Sequence, residues 1–146
     1  MIITAAVLCM ATNLYHEARG DGLASQIAVA QSVINRVKDP RYPNTVCEVV
    51  HQAQYHTKAK KVPKRNKCQY SWYCDGKSDI PQNTKVMGEM IQLAQTLLKD
   101  PHLDITEGST HYHATFVTPY WASKMEYVTT IGSHKFYRTK NKEKTK

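Results

Sequence analysis

The sequence predicts an α+β protein, mainly helical, folded as one domain with a small antiparallel sheet near its C-terminus. Three observations carry this expectation. Amphipathic segments with apolar residues at helical spacing fill most of the first hundred positions. Beyond Pro101 the pattern changes to alternation among β-branched and aromatic residues. The 146 residues are enough for one domain with a real core, and no repeat divides them.

In the first segment Ile3, Val7, Met10 and Leu14 fall on one helical stripe. Glu17 continues that series, so the spacing that buries apolar side chains also aims a carboxyl group at the core or at a cleft in it. Gly20 is the expected stop. Glu17 then lies in the last turn, where the helix dipole disfavours negative charge. Burial and dipole both raise its pKa, which suits a general acid. The ordinary alternative is a helix-end glutamate that reaches solvent or pairs with an arginine. A second helix follows "GDG", with Leu23, Ile27, Ala30, Ile34 and Val37 as its stripe and Asp39-Pro40 as its end. A third, short helix covers 44–52, with Asn44 as its cap. The stretch 83–100 is a strong helix on Val86, Met90, Leu93 and Leu97, widened by Ile91, Ala94 and Leu98 and slightly weakened by Gly88. Strands are expected at 110–117, "EYVTTI" and "HKFYR".

Net charge is +8. Lysines gather in "HTKAKKVPKRNK" (56–67) and in the tail "RTKNKEKTK" (138–146), both read as exposed loops that suit an anionic partner or simply keep the protein in solution. No apolar run approaches the ~18 residues of a membrane span. The opening "IITAAVLCMA" has no basic leader and no cleavage site, so it is read as helix rather than as an export signal. Of the four cysteines, Cys9 is expected as a small core residue inside helix one. A disulfide among Cys47, Cys68 and Cys74 is left open, and their spacing does not suit a structural zinc site.

Several groups carry chemistry. Alternation in "THYHA" puts Thr110, Tyr112 and Ala114 on one face and His111 and His113 on the other. A His-x-His pair can bind zinc, with His16 or Glu17 completing the shell. Cys68 or Cys74 with either histidine would make a nucleophile pair, without local support for an activated thiol. The aromatic rings of "YSWY", Trp72 among them, and of Tyr120 and Trp121 can stack on sugars or nucleobases, or fill the core.

"LYHEARGDGLASQIAVAQSVINRVKDPRYPNTVCEVVHQ", "CQYSWYCDGKSD" and "GSTHYHATFVTPYWASKMEYVTTIGSHKFYR" together resemble the SleB/CwlJ-type cell wall hydrolases, the spore cortex-lytic family, over about residues 12–138. The resemblance implies a lysozyme-like catalytic domain over 1–138, with a basic insertion at 55–67 and a flexible basic tail at 139–146. It implies cleavage of peptidoglycan glycan strands without a cofactor or metal. Glu17 matches the catalytic glutamate. Gln69, Tyr70 and Ser71 match a Gln-Phe-Ser segment that lines the cleft, with tyrosine in place of phenylalanine. Thr110 and Tyr112 match positions near the cleaved bond. Asp21 stands where many relatives have glutamate, and Ser25 where glycine is common.

Direct hydrolysis usually uses two carboxylates, and Glu17 has no obvious partner beyond Asp75 or Asp79 in another loop. A lytic transglycosylase, forming 1,6-anhydro-muramic ends, needs only one. The expectation is a monomer acting on bacterial peptidoglycan, neither inserted in a membrane nor bound to nucleic acid. The missing leader suits a phage endolysin held in the host cytoplasm before release to the wall. The alternatives are a zinc-dependent amidase or peptidase on His111 and His113, and a non-enzymatic nucleic-acid binder.

Overall fold

A computed structural model describes residues 2–56, 62–100 and 102–140. The remaining parts of the basic insertion and the tail, 57–61 and 141–146, lie outside the described residues. Helix α1 spans Ala5–Ala18, and Thr4 caps it by accepting a hydrogen bond from the Val7 amide at 3.2 Å. Val7, Met10 and Leu14 are buried as the stripe requires. Ile3 is not part of it: the helix starts after Thr4, and Ile3 is exposed. Helix α1 packs on α4 (Thr84–Lys99), α3 (Val46–Val50) and α2 (Leu23–Lys38), so one core forms among the four.

Helix α2 departs from its expected stripe. Leu23 is exposed, and the deepest residues are Ala28, Val29, Ala30, Ser32, Val33 and Arg36, with Ser25, Gln26 and Gln31 buried beside them. This helix touches α1, α3 and α4 as well as the sheet, so almost every face is covered. Most of its polar side chains are therefore buried or half-buried, and several bond to loops. Gln31 donates to the Leu103 carbonyl at 2.8 Å and accepts from the Ile105 amide at 2.9 Å. Asn35 donates to Asp104 and to the Ser109 carbonyl, each at 2.9 Å. These bonds fix the irregular segment that leads into the sheet, satisfying groups whose burial unpaired would cost about 1–3 kcal/mol each.

Thr45, not Asn44, caps α3: its hydroxyl accepts from the Glu48 amide at 3.2 Å and donates to the Glu48 carboxylate at 2.9 Å. The hydroxyl thus satisfies a free helix-start donor as an N-cap, and the Glu48 carboxylate accepts its hydrogen bond. The expected basic loop is partly strand, since β1 (Ala53–Tyr55) pairs antiparallel with β2 (Pro63–Cys68). A 3₁₀ turn, Ser71–Cys74, follows. Asn83 caps α4 through its Oδ1 at 3.1 Å from the Val86 amide.

The C-terminal sheet has the order β3-β5-β4, from β3 (His111–Ala114), β4 (Glu126–Ile131) and β5 (His134–Arg138), all antiparallel. Strand β3 stops at Ala114, short of the expected Val117. Strands β4 and β5 match their expected spans and join through Gly132-Ser133. Gly132 has φ +58°, and a Cβ there would sit 3.1 Å from the Ser25 Cβ. Glycine thus serves both the hairpin turn and the close approach of this turn to α2.

Cys9 is not a free core thiol. It is bonded to Cys47, tying α1 to α3 across 38 residues, and Cys68 is bonded to Cys74 around the 69–73 loop. Closing loops of these sizes contributes about 4 and about 2 kcal/mol by the chain-entropy relation. A reducing agent is therefore expected to lower the melting temperature by about 10 °C or more. Calorimetry with and without reductant checks this.

Candidate active site

Glu17 sits in the last turn of α1 and is partly buried. Its Oε1 accepts a hydrogen bond from the Tyr112 hydroxyl. Strand β3 delivers that hydroxyl. Tyr112 pairs with Phe136 across to β5 and points to the helices, while His111 and His113 take the opposite face. The Tyr112 ring is held by Tyr70 at 6.5 Å, Phe136 at 5.5 Å and His134 at 5.1 Å between centroids.

The electrostatics favour a proton on Glu17. Burial raises its pKa and outweighs the Tyr112 hydrogen bond, which lowers it. Among the described residues no arginine, lysine or histidine pairs with it. The ordinary solvent-facing or arginine-paired glutamate is thus not what the fold builds. Burial, followed by the neighbouring Glu17 charge, pushes Tyr112 well above its usual range, so it remains a donor. Tyr70, also buried, is pushed up to about 12.

The 68–74 loop divides its side chains by alternation. Gln69 and Ser71 are exposed, whereas Tyr70 and Trp72 are buried. Trp72 is therefore a core residue and not an open sugar platform. Its Nε1 donates to Asn13 Oδ1 at 2.9 Å, and its ring stacks on His16 at 4.9 Å. His16 in turn donates from Nε2 to the Asp79 carbonyl at 2.8 Å, so it anchors the 75–79 loop.

Arg36 was missed from the sequence, and it organises the site from below. It is 1 % exposed. Its Nε donates to the Thr110 carbonyl at 2.6 Å and its Nη1 to Gln52 Oε1 at 3.1 Å. Its guanidinium lies 4.8 Å from the Tyr42 ring and 5.8 Å from the Tyr70 ring. One cation thus joins α2, the head of β3, the end of α3 and the 68–74 loop, without a carboxylate among the described residues. The signal was available: Val29, Val33 and Arg36 have the same helical spacing that singled out Glu17.

Thr110 is buried at the head of β3, with Oγ1 3.0 Å from His111 Nδ1. Trp121 packs edge-on against His111, His113 and Tyr137, on the sheet face away from Tyr112, and Tyr120 beside it is 82 % exposed. These two aromatics are not brought to Glu17. His113 has both ring nitrogens engaged: Nδ1 donates to the Ala114 carbonyl at 2.7 Å, and Nε2 accepts from the Tyr137 hydroxyl at 2.8 Å. No group of three or more metal-ligating side chains occurs among the described residues. The zinc reading on His111 and His113 therefore gains no support from the geometry.

Asp21 and Asp75 are occupied elsewhere. Asp21 accepts from Ser133 Oγ at 3.3 Å and lies 3.6 Å from His134 Nδ1. Asp75 accepts from the Lys77 amide at 2.9 Å. No carboxylate contributes to the shift of Glu17. A groove of about 720 Å³ lined by Ile2, Thr4, Val7 and the second half of α4 lies at the far end of α1, about 15 Å from Glu17 by helical rise.

A partly buried carboxyl with a raised pKa and a tyrosine hydroxyl on it, with no second carboxylate contributing to its shift among the described residues, is the equipment of an acid–base enzyme. The chain belongs to the cell wall hydrolase family, whose model matches residues 20–137. Glu17 lies just before that stretch. The fold is similar to the catalytic domain of the germination-specific lytic transglycosylase SleB from Bacillus anthracis, with TM-score 0.63 and 24% identity over 91% of this chain and 93% of that one. It is similar also to the catalytic domain of Bacillus cereus SleB, with TM-score 0.62 and 24% identity over 91% and 89%. No curated protein matches the chain. The family and the mainly helical fold bear out the resemblance read from the sequence.

Proposed function

We propose that this cell wall hydrolase cuts the glycan strands of peptidoglycan as a lytic transglycosylase, with Glu17 as its single acid and base. The observation that carries this is the isolation of Glu17, which among the described residues has one hydrogen-bonding partner, Tyr112, and no second carboxylate acting on it. Protonated Glu17 donates to the glycosidic oxygen, and the bond from that oxygen to the muramic anomeric carbon breaks. The carboxylate then takes the proton of the muramic six-position hydroxyl as its oxygen bonds to the anomeric carbon. Glu17 ends protonated again, the product is a 1,6-anhydro sugar, and no water is consumed. Tyr112 holds the carboxyl in place throughout. In this reading Gln69 and Ser71, both exposed, hydrogen-bond the sugars. The SleB domains that share this fold include one named a lytic transglycosylase. The two disulfides suit work in an oxidising compartment, and lysis of a bacterial host by a phage is the setting proposed for it.

Asp75→Asn and Asp79→Asn test the single-carboxylate mechanism. Each variant is expected to clear purified cell walls within about twofold of wild type. Loss of about a hundredfold or more in either would identify a second catalytic carboxylate and a hydrolytic route. Activity that vanishes in strong chelator would instead favour a metal amidase.

A further inference from the structure

We propose that the β1–β2 hairpin is a carboxylate-binding rim that grips the peptide stems of the substrate; this rests on the glycan-strand reading above. The register carries the argument. Ala53 pairs with Cys68 and Tyr55 with Pro63, so two steps along β1 are matched by five along β2. The surplus forms a bulge, with Asn66 in the left-handed region at φ +62°. Asparagine tolerates that conformation better than most residues. Regular alternation would turn every second side chain of β2 inward. The bulge re-aims them, and Lys64, Arg65, Asn66 and Lys67 are all exposed.

The resulting row of cations is anchored beside the site. Cys68 ends β2 and is bonded to Cys74, so the loop that exposes Gln69 and Ser71 is closed against the hairpin. The Arg65 guanidinium lies across Gly76, where an added Cβ would meet its Nη2 at 2.6 Å. Lys77 is exposed in the same turn. Asp75, the acid of that turn, is turned onto the Lys77 amide. Among the described residues no carboxylate pairs with Lys64, Arg65, Lys67 or Lys77. From Lys67 to Gln69 is two residues, about 7 Å of extended chain. A glycan backbone is uncharged. The carboxylates of peptidoglycan sit on the peptide carried by the muramic residue, the sugar whose anomeric bond is cut. A strand held by Gln69 and Ser71 therefore carries its negative charge within reach of this rim.

The test compares two substrates, peptidoglycan with its stems and the same glycan strands stripped of peptide by an amidase, with the lactyl carboxylate that this frees on each muramic residue then capped as a neutral amide. Lys64→Gln/Arg65→Gln/Lys67→Gln is expected to raise KM about fivefold on stem-bearing strands, as for a few exposed ion pairs, with kcat unchanged and no effect on stripped strands. Wild-type KM on stem-bearing strands should also rise with salt. The double variant Lys64→Glu/Lys67→Glu, which leaves Arg65 against Gly76, should raise KM further, and an unchanged melting temperature shows that the hairpin is intact. An unchanged KM overturns the proposal, as does an equal rise on stripped strands. So does an effect seen only on walls that keep phosphate polymers, which would assign the cations to phosphate. If the wild type cleaves neither substrate, the glycan-strand reading itself fails.

Discussion

Glu17→Gln is expected to keep its fold and to lose wall cleavage by a factor of about 10²–10⁴, the usual contribution of a positioned acid–base group. The amide has nearly the shape of the carboxyl and still accepts from the Tyr112 hydroxyl, but it can give no proton to a leaving oxygen. The pH behaviour follows from the raised pKa. On the proposed mechanism activity needs the protonated form, so the alkaline limb of the rate profile is expected above the ordinary carboxyl value of 4.5. Tyr112→Phe removes the hydrogen bond that lowers the Glu17 pKa, and that limb moves to still higher pH. Stability has the matching sign. Because the folded pKa exceeds the unfolded one, the contribution of Glu17 is complete below the unfolded value and is lost as pH rises through the folded value. Glu17→Gln, neutral throughout, is therefore expected to melt above wild type at neutral pH, with the gap closing on acidification. Calorimetry across pH, alongside wall-clearing rates, measures both.

Arg36→Ala is expected to destabilise the protein by about 3–5 kcal/mol and to abolish activity along with stability. The change leaves the Thr110 carbonyl and Gln52 Oε1 without their donor, and buried acceptors left unsatisfied cost about 1–3 kcal/mol each. It also opens a cavity between Tyr42 and Tyr70. Arg36→Lys separates charge from geometry. An ammonium keeps the charge but lacks the planar fork that reaches both acceptors, so about 2 kcal/mol is still lost. Urea unfolding gives both values from the midpoint at constant m. An Arg36→Ala midpoint equal to wild type would mean that the guanidinium does not hold these elements together.

How much the sequence could tell varied with how local the signal was. Helix α4 and strands β4 and β5 appear close to where their periodicity put them, because cap, stripe and alternation are read within a few residues. Glu17 was legible for the same reason, its position being fixed by the helix that carries it. Its partner Tyr112 was named, but the hydrogen bond between them spans 95 residues and only the folded sheet creates it. The covered faces of α2 were not legible. An amphipathic stripe describes a helix with one wet side, and α2 is enclosed by three helices and the sheet. The Cys9–Cys47 pairing joins two helices and leaves no spacing motif. Trp72 and Trp121 show the limit for aromatics. Composition marks a ring as able to stack, but burial against Asn13 in one case, and a place on the opposite sheet face in the other, come from tertiary packing.

The most direct measurement is the chemical nature of the new ends that wild-type enzyme makes on purified peptidoglycan in isotopically heavy water. Mass spectrometry of the released muropeptides should show 1,6-anhydro-muramic ends, lighter by one water than hydrolysis products and free of label. Labelled reducing ends, or fragments cut in the peptide with intact glycan, would contradict a single glutamate that closes the sugar on itself.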